Sequence, residues 1–116
     1  LACTYYPDDW KDLWTSFVRA SGYEVIASQS LVDQGIRKKT LDEIDYPNSD
    51  EICESIKIIS KNYPNIDAII ISGSGARTMA ITDKLKKISN KLIIAADTAL
   101  FSIIVKKLNI NVPIKL

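Results

Sequence analysis

The stretch IIISGSGARTMAI, Ile69 to Ile81, holds the residue types best suited to chemistry. An apolar run ends at Ser72, Gly73 and Gly75 bracket Ser74, and Arg77 leads into a helical pattern. Glycine lets a backbone turn with positive φ and lets a ligand approach the main chain closely. N–H groups left unbonded at a helix start can bind an anion. A plain strand-to-helix turn would use the same residues, because glycine is the default turn residue. Two named motifs fail. The Walker pattern needs a Gly-Lys pair, which is missing, and Thr78 stands where the dinucleotide fingerprint needs its third glycine. Neither ATP nor NAD is indicated, and we expect no cofactor.

The chain has no histidine. That excludes a Ser-His-Asp triad, a Cys-His pair and a histidine-based metal site within it, and we expect no metal. Proton transfer is left to carboxylates, Tyr, Lys, Cys or water. Cys3 and Cys53 are far apart and form no CxxC pair, which reads as two buried thiols in a reducing cytoplasm.

The elements that must position these residues follow from spacing. LACTYY reads as a strand end, and Pro7 with Asp8 and Asp9 marks a helix start. Trp10, Leu13, Trp14, Phe17 and Val18 form one helical stripe, which Ser21-Gly22 ends. YEVIAS, Tyr23 to Ser28, reads as a short strand. Gln29 to Ser49 reads as a long loop with a helical turn near Thr40 to Ile44. Asn48 or Ser49 caps the next helix, which Pro64 closes. DAIIIS reads as a central parallel strand buried on both faces. A helix over ARTMAITDKLKKIS, a strand over KLIIAAD and a helix over TALFSIIVKKLNI complete the order. This alternation predicts α/β layers around a parallel sheet in one domain, residues 1–116.

Ligands of open parallel sheets bind at the carboxyl ends of the strands. Three such ends are legible: Thr4, Tyr5 and Tyr6; Ser72, Gly73, Ser74 and Gly75; Asp97 and Thr98. Asp97 reads as an N-cap of the last helix. Arg77 reads as solvent-facing, or weakly paired with Asp83.

Taken together, these stretches resemble the second lobe of the Asp/Glu racemase superfamily, in the branch of maleate isomerase and arylmalonate decarboxylase. CTYYPDDWKDLWTSFVRASGYEV is similar to its Thr-Pro-Tyr strand end, helix and Gly-aromatic-Glu-Val strand, with Tyr5 in place of the proline. NIDAIIISGSGARTMAITDKL is similar to its Asp-Ala-(apolar)-Ser-Cys-Thr-x-x-Arg-Thr segment, matching Asp67, Ala68, Ser72, Arg77 and Thr78. KLIIAADTAL is similar to its Pro-Val-(apolar)-Ser-Asn-x-Ala segment, with Asp97 for the asparagine. The likeness covers nearly the whole chain in order.

The resemblance implies a three-layer lobe: a four-stranded parallel sheet, order 2-1-3-4, flanked by helices. It implies the C-terminal half of a two-lobe protein with its site facing a missing N-terminal lobe. The chain also opens on Leu1 rather than Met. The implied activity is cofactor-independent racemisation, isomerisation or decarboxylation at the carbon next to a carboxylate. This lobe would bind a small carboxylic acid or its enolate through Thr4, Tyr6, Ser72, Gly73, Ser74 and Gly75. The family's second-lobe cysteine falls on Gly73, so no catalytic residue is assigned, and the chain alone is expected to be inactive. The other reading is a non-catalytic lobe that binds small anions.

Composition sets outer bounds. A net charge of +1 with scattered lysines gives no nucleic-acid stripe. No apolar run approaches the roughly 20 residues of a membrane span, and no leader resembles a secretion signal. A cytoplasmic protein, with homo-oligomerisation open, is the expectation.

Overall fold

Four consecutive apolar residues, Ala68–Ile71, form β3, and in this computed structural model they are where the sheet is longest. The structure describes residues 2–4 (main chain only), 8–39, 46–73 and 75–112. Element order is β1 (Ala2–Thr4), α1 (Asp8–Ala20), β2 (Ser28–Ser30), α2 (Ser49–Asn62), β3, α3 (Thr82–Ile88), β4 (Leu92–Ala95) and α4 (Ala96–Leu108). A 3₁₀ turn, Met79–Ile81, leads into α3. The strands are parallel and stand in the spatial order β2-β1-β3-β4.

Local chemistry explains the best-formed helix. The Asn48 side chain accepts from the Asp50 and Glu51 amides, and Glu51 reaches back to the Asn48 N–H, a reciprocal capping box at α2. Its apolar residues Ile52, Ile56 and Ile59 recur at helical spacing and are buried against Ile69 and Ile71 of β3. Leu31, Cys53, Ile66, Ala76, Leu85 and Ala95 complete this core.

The expectation of a three-layer lobe around a four-stranded parallel sheet is corrected here. Four-residue pairing exists only between β3 and β4; β1 meets β3 at two positions and β2 at three. All four strands pair in parallel, but the sheet thins from four paired residues at β3–β4 to two or three at β1 and β2. Nor is it closed on both faces. Right-handed crossovers put α1 on the face opposite α2 and α3. In β3, Ile69 and Ile71 are buried while Ala68 and Ile70 are half-exposed, so the run is not buried on both faces. In β4, Leu92 is 63% exposed and Ile94 38%. No residue of α4 is buried, and Trp10, Leu13 and Phe17 of the α1 stripe are exposed. One face carries the core; the other is largely open.

Two boundaries also differ. The second strand is Ser28–Ser30, not Tyr23–Ser28. Burial of Leu31, and a turn in which Asp33 accepts from the Ser30 N–H, anchor the later residues instead. The helix expected from Ala76 begins only at Thr82, after the 3₁₀ turn. The helical turn expected at Thr40 to Ile44 lies outside the described residues.

Candidate functional site

β3 delivers Ser72 to the carboxyl end of the sheet. Ser72 is 5% exposed, and its hydroxyl has no hydrogen-bond partner among the described residues. A buried polar group without a partner is unusual and calls for a physical reason. The chain then bends at Gly73, with φ at 97°, where a side chain would be strained. The Ala76 N–H donates to the Gly73 carbonyl at 3.3 Å and closes the turn. Ala76 is buried beneath it, while Arg77 is exposed.

Beyond the turn the main chain meets Asp97. The Thr78 N–H donates to Oδ2 at 2.6 Å and the Met79 N–H to the same oxygen at 3.1 Å. The Thr78 hydroxyl donates to Oδ1 at 2.6 Å, and the Thr98 N–H to that oxygen at 2.9 Å. The expected N-cap role of Asp97 is thereby corrected. Its residue lies inside the first turn of α4, whose N-cap is Ala95 without a side-chain bond. The carboxylate serves the lead-in to α3 instead. Donors that could face an external anion at Thr78 and Met79 are filled from within the protein.

Of the expected ligand-binding residues, Ser72, Gly73 and Gly75 stand together at this turn. Thr4 ends β1, the neighbour of β3, so parallel pairing brings its main chain to the same rim. Tyr6 and Ser74 lie outside the described residues, as does Tyr5.

The carboxyl end of β2 adds a residue that the pattern of motifs missed. Both polar atoms of the Gln34 side-chain amide, in the turn that follows β2, are buried without a partner among the described residues. No spacing rule marks a lone glutamine in a loop, so only its burial reveals it. The same turn is tied down by Asp33. It accepts from Lys11 of α1 at 2.7 Å, and Lys11 also meets Asp8 at 2.9 Å. Burial opposes the charge on Asp33, but the bonds from Lys11 and Ser30 outweigh it and hold the carboxyl below its usual value. Among the described residues, no cluster of three metal-ligating side chains forms. Cys53 is a buried free thiol.

No helix among the described residues is long and apolar enough to cross a membrane. A scan against protein-family models and searches of curated proteins and solved structures return no match to this chain.

Proposed function

We propose that the chain supplies the carboxylate-binding turn of a cofactor-independent site acting at the carbon next to a carboxylate, as in racemases, isomerases and decarboxylases of the Asp/Glu racemase type. The observation that carries this reading is the buried, unpartnered Ser72 hydroxyl directly before the positive-φ bend at Gly73. A hydroxyl and turn amides fixed in place suit the charge that develops on a carboxylate as its neighbouring carbon loses a proton. The chain brings no histidine, and Gly73 stands where the family has its cysteine. The acid or base therefore belongs to a facing lobe, and the isolated chain binds without turnover. The buried thiol of Cys53 fits a reducing compartment such as the cytoplasm.

A second reading, a lobe that only binds small anions, is favoured by Asp97. Its carboxylate already occupies the Thr78 and Met79 donors, leaving the turn itself as a smaller, single-anion cradle.

An NMR titration with malonate, maleate and sulfate tests the turn. Saturable shifts of the Ser72, Gly73, Gly75, Ala76 and Arg77 amides are expected at about millimolar ligand, near −4 kcal/mol. They should weaken with salt, because an open half-site is screened. If those amides stay still while others move, the turn is only a turn. Malonate and maleate binding without sulfate binding favours the enzyme-type site; equal binding favours the anion module.

A further inference from the structure

Independently of the turn, β4 offers a second surface. Among the described residues it is an edge strand, bonded to β3 on one side only. The Leu92 N–H donates to the Asp67 carbonyl. In a parallel ladder alternate residues bond to the same neighbour, so Leu92 and Ile94 face β3 with their main chain. The Ile93 N–H and C=O therefore point to the outer edge. Along that edge runs an open cleft of about 350 Å³. All of β4, Leu92 to Ala95, lines it, together with Thr82, Leu85 and Lys86 of α3 and Thr98, Ala99 and Ser102 of α4. Four strand residues extend about 13 Å, so the cleft is as long as a short strand. Lys91, directly before β4, and Lys86, in the last turn of α3, also line it. The Lys91 ammonium donates to the Pro64 carbonyl at 2.6 Å, which holds it in place and leaves two protons.

We propose that this cleft is a strand-accepting site for an extended peptide with apolar side chains at alternate positions and a carboxylate at its C-terminal end. The peptide runs antiparallel to β4, so its acid meets Lys86 and Lys91. Its main chain bonds to the outer edge at Ile93, and its apolar side chains cover Leu92 and Ile94. An uncovered edge with apolar residues is the usual template for added strands. The lysine pair at one end only sets the direction and the charge of the occupant.

The test uses the full chain, isotope-labelled, and the peptide acetyl-Thr-Val-Thr-Val-Thr-Glu. Binding should shift the Ile93 and Ala95 amides together with those of Thr82, Leu85 and Ser102. In the double variant Lys86→Glu, Lys91→Glu, affinity for this peptide should fall about tenfold, one matched charge contact by the usual conversion. The same peptide ending in lysine should regain it. The proposal is overturned if no amide along β4 moves with the unaltered chain, or if a proline placed mid-peptide binds equally. It is also overturned if charge reversal does not change which peptide is preferred. Concentration-dependent shifts of these amides without peptide, or their protection from solvent exchange in the monomer, would show another copy or the chain itself on the edge, and would likewise overturn it.

Discussion

The Asp97 carboxylate is bonded to Thr78 through two separate donors, the main-chain N–H and the side-chain hydroxyl, each at 2.6 Å. The two residues are 19 apart in sequence, and the contact joins the first turn of α4 to the lead-in of α3. Thr78 is almost wholly buried, so this charge-assisted pair works where water is scarce.

Replacing Asp97 with alanine should therefore cost about 2–3 kcal/mol in urea unfolding, since it strands three amides and a hydroxyl. Thr78→Val should cost about 1 kcal/mol by removing the hydroxyl bond alone. The double variant should cost less than the sum, because both remove the same contact. A cost for Asp97→Ala within the roughly 0.5 kcal/mol of an ordinary surface change would mean the contact does not hold α3 to α4.

Ser72→Ala should separate stability from binding. The hydroxyl has no partner among the described residues, so its removal should leave the unfolding midpoint unchanged or raise stability by up to about 1 kcal/mol. Malonate affinity should fall by about one hydrogen bond, roughly 0.5–1.5 kcal/mol. Gly73→Ala should lose both, with about 1–2 kcal/mol of strain at its positive φ. If Ser72→Ala is clearly destabilising, the hydroxyl has a protein partner in solution and is not waiting for a ligand.

Helix α2 and strand β3 were legible in the sequence because their causes are local. Asn48 and Glu51 are three residues apart, and Ala68 to Ile71 is an unbroken apolar run. The Asp97–Thr78 bond was not, because an aspartate beside a helix start looks like that helix's own cap until the fold brings a distant donor to it. The position of β2 was hidden for a related reason. Val25 and Ile26 have the better strand propensity, but Ser28, Gln29 and Ser30 are the residues that Leu31 and Asp33 anchor. The open face escaped notice because an apolar run marks what a strand is able to bury, not what covers it. Of the candidate site, Ser72 and Gly73 could be read from composition, whereas the Gln34 amide is visible only through its burial.

Acid should weaken the anchoring of α2. Arg37 donates to both Glu51 oxygens, from Nε at 2.6 Å and from a terminal nitrogen at 2.7 Å. These bonds, partly offset by burial and aided by the Asn48 N–H, hold the Glu51 carboxyl below its usual value. A depressed folded value means stability is present above the unfolded value of about 4.3 and is lost as pH falls through the lower, folded one. Glu51→Gln should cost about 1 kcal/mol at neutral pH and flatten the loss below about pH 4. Identical acid limbs for the two proteins would show that this pair contributes nothing.

The one-sided core makes the sharpest contrast within one ladder. Ile69 of β3 and Ile93 of β4 are paired, and Leu92 precedes Ile93 on the opposite face. Ile69 is fully buried against α2, so Ile69→Ala should cost about 2–5 kcal/mol through lost transfer energy and the cavity left behind. Leu92 is 63% exposed, so Leu92→Ala should change stability by no more than about 0.5 kcal/mol. Both are large apolar residues of the same two strands, and both lie in runs that read alike in sequence. Urea unfolding of the two variants at equal protein concentration decides the matter. A cost for Leu92→Ala approaching that of Ile69→Ala would show that the open face is packed in solution. Repeating the comparison across a range of concentrations would then show whether a second copy does the packing, since stability gained from association rises with concentration.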